Sequence, residues 1–260
     1  MTNITTTLPY LPFDNIQDSL VYSILHDIPT IPLIKGENLI EIVLERPGNM
    51  ACLNNFKKEM SEKKKSALSI YFPDPVTLIE NYKLSANQSL DKVRLHVQNS
   101  INGLNLEKIY LFLDVSQSLK YKKLNSKIPG SWRDLLSRID KPSSVDELVY
   151  GIHIRGNIEE HWNLMLDPNF DIISFDVVKN DMPFALDNAC LKEKYSNWRN
   201  SGNFSYGVVQ ARENIGITYQ DNLELFRRED MIHASGLETL DPALCYKILN
   251  HLNNLKEKIK

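Results

Sequence analysis

Four apolar runs end in side chains that can do chemistry. Val149-Tyr150-Gly151-Ile152-His153-Ile154-Arg155 ends in an imidazole and a guanidinium. Phe170-Asp171-Ile172-Ile173-Ser174-Phe175-Asp176 ends in a carboxylate, as does Lys108-Ile109-Tyr110-Leu111-Phe112-Leu113-Asp114. Met231-Ile232-His233-Ala234-Ser235 carries a second imidazole and a hydroxyl. Imidazoles take up protons or bind metals, carboxylates hold ammonium groups, and a guanidinium grips carboxylate or phosphate as a fork. Groups of this kind at the ends of buried strands mark the usual ligand site of parallel α/β proteins.

The elements that must position them follow from periodicity. Continuous apolar runs such as 109–113 suit strands covered on both faces. Further strands are expected at Ala67–Phe72 and Ser205–Gln210, with a Pro-interrupted strand or edge at Ile28–Ile34. Helices are expected from Asp14, as N-cap, to about His26, and over Glu37–Arg46, Val76–Tyr82, Ser89–Leu104, Trp132–Ile139, Ile158–Leu166, Leu186–Trp198, Asp221–Arg228 and Asp241–Lys256. The charged stretch Lys57–Lys65 and the Lys-rich 116–130 read as surface. Strands alternate with helices and no repeat or low-complexity linker intervenes, so the expected fold is α/β, a (β/α)8 TIM barrel, with residues 1–260 as one domain.

Composition excludes several classes. The 260 residues carry a net charge of -3, which argues against nucleic acid as a partner. Three separated cysteines (Cys52, Cys190, Cys245) form no CxxC and read as reduced thiols, so a cytoplasmic location is expected. No window approaches the ~20 apolar residues of a membrane span, and no signal peptide is evident. Dinucleotide-binding, Walker and His-Glu-x-x-His motifs are absent.

Several segments, in order, resemble the cobalamin-independent methionine synthase family, in its C-terminal catalytic barrel. That barrel belongs to a superfamily shared with uroporphyrinogen decarboxylase. Thr7-Leu8-Pro9 is similar to the family's Gly-Ser-x-Pro loop, and Asp74-Pro75-Val76-Thr77 to its Gly-Pro-Val-Thr. Phe112-Leu113-Asp114 resembles the start of its Asp-Glu-Pro strand end. Gly151-Ile152-His153 and Ile173-Ser174-Phe175-Asp176 resemble its metal-bearing strands, and Ser235-Gly236-Leu237 its late Cys-Gly-Leu. The chain looks like a divergent single-barrel member.

The resemblance implies methyl (one-carbon) transfer to a thiol or amino-acid acceptor, with zinc activating the thiol. The zinc ligands of the family are a His-x-Cys pair, a Glu and the late Cys. Here His153 is kept, Arg155 replaces the Cys, Asp176 the Glu and Ser235 the late Cys. The zinc site therefore reads as lost, although His233 is a candidate replacement ligand, and no cofactor is expected beyond a methylated folate as donor. By the same resemblance Arg212 falls at the family's general-acid histidine, and Glu41 and Asp114 at its amino-group carboxylates. The expected catalytic set is His153, Arg155, Asp176 and Arg212; Thr7, Glu41, Asp114 and Ser235 would bind substrate. An Arg155–Asp176 ion pair is one way to fill the vacated metal position. The alternative is an inactive barrel binding a small anionic ligand or a protein partner. In either case the expected partner is a small molecule, with a methyl-carrier protein as a further candidate. A tetrapyrrole-type decarboxylase ranks last, because residues 1–30 contain no Arg or Lys.

Overall fold

The computed structural model describes residues 4–115, 132, 135–178, 180, 188–210, 217–218, 226–227 and 229–259. Its strands are β1 (Ile4–Thr5), β2 (Ala67–Pro73), β3 (Leu106–Asp114), β4 (Val145–His153), β5 (Ile172–Phe175), β6 (Asn203–Gln210), β7 (Ile217–Thr218) and β8 (Met231–Ser235). They lie in the order β1-β8-β6-β5-β4-β3-β2, all neighbours parallel, with β7 antiparallel on β6. The parallel sheet curls into a half-barrel, like a TIM barrel but without a continuous closing ladder. At the gap between β1 and β2 the chain runs alongside both edges. Thr6 bridges Ile28, and Thr30 bridges Ser69, as isolated contacts. Pro29 and Pro32 in this segment lack the N–H a regular strand would need.

The helices are α1 (Ile16–Ile24), α2 (Leu39–Glu45), α3 (Leu53–Glu62), α4 (Pro75–Tyr82), α5 (Ala86–Ile101), α6 (Trp162–Met165), α7 (Ala189–Arg199) and α8 (Pro242–Lys258). Their starts are chemically marked. Asp74 and Asp241 accept from Val76 and Ala243 N–H, each ahead of a Pro at the first helical position. Ser85 and Gln88 form a reciprocal capping box on α5. The α1 cap is Asn15 rather than Asp14: Asn15 accepts from Asp18 N at 2.8 Å, whereas Asp14 faces Lys35. The Lys57–Lys65 stretch belongs largely to α3, whose buried face is Leu53, Phe56 and Met60. Two of those residues precede or open the lysine run, so the stripe is hidden when the run is read alone. Ile158–Leu166 is one 3-10 turn followed by the four-residue α6. The expected 116–130 surface segment and all of the expected 221–228 helix except residues 226–227, which carry no helix, lie outside the described residues. No helix among the described residues is long and apolar enough to cross a membrane.

Strand alternation sorts the core into two clusters. The larger packs the outer sheet face against the helices. The smaller lies on the inner face: Leu8, Ile28, Tyr71, Phe112, Val149, Ile172 and Met231. Counting in twos from that cluster reaches Asp114, His153, Asp176, His233 and Ser235. The pleat therefore brings these five to the inner face at the strands' C-terminal ends. Gly151 makes this packing feasible, because a Cβ there would lie 2.5 Å from the Phe112 ring. Phe112 cannot yield, being stacked on Tyr71 at 4.8 Å. Gly151→Ala is expected to cost about 1–3 kcal/mol through overpacking. Thermal unfolding checks this, and an unchanged melting temperature refutes it.

Candidate functional site

The C-terminal ends of the strands enclose two adjoining cavities. The outer one, about 440 Å³, is lined by Tyr10, the 36–40 loop with the start of α2, Pro73, Thr77, Asp114 and Arg155. The inner one, about 110 Å³, is lined by Leu8, Tyr10, His153, Ile154, Arg155, Gly156, Asp176, His233, Ser235, Gly236 and Glu238. A cavity of about 740 Å³ opens at the opposite, N-terminal end, around the Lys108–Glu147 ion pair. In parallel α/β folds the strands' C-terminal ends carry the chemistry, and here they also hold the buried imidazoles.

Arg155 stands between the two C-terminal cavities. Its guanidinium contacts Asp114 at 3.3 Å and lies 4.3 Å from the Tyr10 ring centroid. The expected ion pair with Asp176 gives way to one with Asp114. Asp176 instead accepts from Val178 N at 3.1 Å and from Ser235 Oγ at 2.9 Å. Burial pushes the Tyr10 hydroxyl above its usual range, and the Asp114 charge adds to that.

The imidazoles are oriented from beneath. His153 Nδ1 shares a hydrogen bond with Ser174 Oγ at 2.9 Å, and its ring meets the Tyr71 ring edge-on. His233 Nδ1 lies 3.2 Å from Ser205 Oγ. Neither Nε2 has a hydrogen-bond partner among the described residues, and the ring centroids are 6.3 Å apart. Burial lowers the His153 pKa to about 4; the Arg155 charge helps and Asp114 opposes. Burial, then the charges of His153 and His26, hold His233 well below its ordinary value. Both rings are therefore neutral at pH 7. Gly207 leaves room for His233: a Cβ there would sit 3.2 Å from its Nε2 and 3.0 Å from the Asp176 Cα.

Three of the expected catalytic residues, His153, Arg155 and Asp176, meet around the inner cavity, together with Ser235 from the substrate set. Asp114 lines the outer cavity. Thr7 is buried beside them, its hydroxyl donating to the Leu8 carbonyl, and lines neither cavity. Glu41 is exposed on α2, while its neighbours Leu39 and Ile40 line the outer cavity. Arg212 lies outside the described residues. His233, the candidate replacement ligand, joins His153 at the inner cavity. Among the described residues no three His, Cys, Asp or Glu side chains converge as a metal would require.

Sequence reasoning missed Tyr10, Ser174, Ser205, Thr77 and Asn180. Asn180 clasps the loops after β4 and β5: it donates to the Gly156 and Asp176 carbonyls and accepts from Ile158 N. Thr77 is 1% exposed and its hydroxyl has no partner among the described residues, at the wall of the outer cavity. Ser174 and Ser205 could have been found by counting back in twos from Asp176 and Gly207. Asn180 carries no such signal.

No protein-family model matches the chain, and no curated protein matches it. Among solved structures it is similar to a B12-independent methionine synthase from Shewanella sp. W3-18-1 in complex with selenomethionine. That match has a TM-score of 0.54 at 13% identity and covers 89% of this chain and 70% of the other. A GH18 chitinase from Pseudoalteromonas aurantia gives a TM-score of 0.48 at 10% identity over 95% and 99% of the two chains. At such identities the first likeness speaks to the fold.

Proposed function

We propose that this barrel binds a zwitterionic amino compound in the outer cavity and transfers a small group, a methyl in the leading version, to that ligand's thiol or amine. The observation that carries the reading is the Arg155–Asp114 pair. Its side chains are 36% and 9% exposed, and both line the outer cavity. An anion alone would draw Arg155 away from a nearly buried carboxylate. A cation alone would compete with the guanidinium for Asp114. A zwitterion exchanges partners with both: its carboxylate goes to Arg155, its ammonium to Asp114, and Thr77 offers a hydroxyl.

The inner cavity supplies the second half. An S–H or N–H reaching it meets imidazole nitrogens that are neutral at pH 7 and able to take its proton as the ligand atom accepts the methyl and the donor–methyl bond breaks, the departing donor atom taking a proton from solvent. The family's zinc set is not matched by the residues present. Arg155 stands where the Cys would be, and it cannot ligate zinc. No step here runs through a metal. The likeness to a methionine synthase in fold is what selects methyl transfer from among group transfers, with a methylated folate or a methylated carrier protein as donor.

Calorimetry with methionine and homocysteine, against analogues lacking the amino or the carboxyl group, tests the binding. The zwitterions are expected to bind best. Asp114→Asn and Arg155→Ala should each weaken them about 10- to 100-fold, the loss of one charge-assisted hydrogen bond. Equal binding of the deaminated analogue favours the anionic-ligand reading, and no binding refutes the proposal. Binding without methyl transfer from either donor leaves a catalytically silent barrel.

A further inference from the structure

Among the described residues only Tyr10 and Arg155 line both C-terminal cavities, so their side chains are the wall between them. The wall is held by the Asp114 contact at 3.3 Å, by the 4.3 Å stacking on Tyr10 with a hydrogen bond to it, and by the Glu238 charge. The backbone beneath it is pinned. Asn180 holds the Gly156 carbonyl at 2.9 Å, and Gly156 has φ +118, a region open to glycine. The Arg155 side chain is 36% exposed and borders the outer cavity. Behind the wall are two imidazole Nε2 atoms, on residues 2% and 1% exposed, with no partner among the described residues. Buried polar atoms of this kind are destabilising until something hydrogen-bonds them.

The geometry points to Arg155 as a door. When the guanidinium turns from Asp114 to a ligand carboxylate in the outer cavity, the inner cavity opens and takes the ligand's tail. The inner volume of about 110 Å³ limits that tail. At about 30 Å³ per water-sized group it holds roughly three or four heavy atoms. The tail is short and uncharged, and it ends in a group that hydrogen-bonds the two imidazoles: a thiol, hydroxyl, amine or amide. The ligand side of this inference rests on the zwitterion reading above; the door itself does not.

Diethyl pyrocarbonate followed by peptide mass mapping tests the door, because the reagent attacks neutral imidazole. His251 on α8 is the reference, and His26 and His96, both 0% exposed and lining neither cavity, report on the fold. Arg155→Ala is expected to speed modification of His153 and His233 about tenfold or more relative to His251, equivalent to about 1.4 kcal/mol of opening. His26 and His96 should stay unreactive. Equal rates in parent and variant overturn the door, as does a rise of all four together, which reports a loosened fold.

Homoserine, which has a short hydroxyl tail, and glycine, which has none, test the ligand side by imidazole 15N resonances. Homoserine is expected to shift the Nε2 signals of His153 and His233, and glycine is not. If homoserine binds by calorimetry and moves neither signal, the tail assignment is wrong. If it does not bind at all, the zwitterion reading fails while the modification rates still decide the door.

Discussion

Acidification from about pH 6.5 to about pH 4 is expected to remove several kcal/mol of stability and to unfold the chain. Four buried histidines set this. Burial is the largest cause in each: it lowers His26 to about 3, His96 and His153 to about 4, and His233 well below 6.5. In the unfolded chain each takes a proton near its ordinary 6.5, while the folded chain refuses it. Protons therefore favour the unfolded state as the pH falls. The contribution is fully present above about 6.5 and is lost progressively down to the folded value. A histidine held at about 4 loses roughly 3 kcal/mol over that span, at about 1.4 kcal/mol per unit. Several such losses approach the whole stability of a typical domain, about 5–15 kcal/mol. Asp27 acts in another window. Burial works against it, but hydrogen bonds from Thr5 and Lys256 win and lower its pKa, so its share goes only below its ordinary 3.8. Urea titrations across this range measure the effect. His26→Phe should move the acid midpoint down, since neither His26 ring nitrogen has a partner among the described residues. Stability that stays level to pH 4.5, or an unmoved midpoint in that variant, would contradict the account.

The second large effect is expected from Asp230→Ala, about 3–5 kcal/mol of destabilisation. Arg199 and Asp230 form a bidentate pair at 2.8 and 2.5 Å with side chains 4% and 0% exposed. Asp230 also accepts from Phe204 N and Arg227 N, both at 2.8 Å. Removing it strands a buried guanidinium and two backbone donors just before β6 and β8. Those strands carry Ser205, Gly207, His233 and Ser235, so the loss reaches the inner cavity. The double variant Arg199→Met with Asp230→Leu should recover part of the stability, because neither charge is then left alone. A single variant within about 1 kcal/mol of the parent in urea denaturation would show the pair to be dispensable.

The strands were readable because their interiors are continuously apolar, as at 109–113, or apolar but for one serine, as at 172–175. Their polar ends put Asp114, His153, Asp176 and Ser235 at the strands' C-terminal ends, and period two assigns them to one face once the inner cluster is seen. What stayed hidden depends on distances across the barrel. Arg155 reaches either Asp114 or Asp176 from its position after β4, and sequence order does not choose between them; the Tyr10 ring beneath the guanidinium does. Glu41 looked suitable by its neighbours, yet one helical step separates it from Leu39 and Ile40 at the cavity wall. The α3 stripe was masked by its own lysines, which surround Met60 with charge.

The seam between β1 and β2 bears on how the chain reaches this shape. Ile4 pairs with Met231, and Lys256 with Asp27, contacts that join elements far apart in the sequence. The edge strand β1 therefore has no ladder partner until Met231 and Ile232 have been made. Meanwhile Thr6 can bridge Ile28, and Thr30 can bridge Ser69, using chain already present. The proline-broken segment takes the edge of β1 opposite β8, and its isolated bridges persist beside the finished β1–β8 ladder.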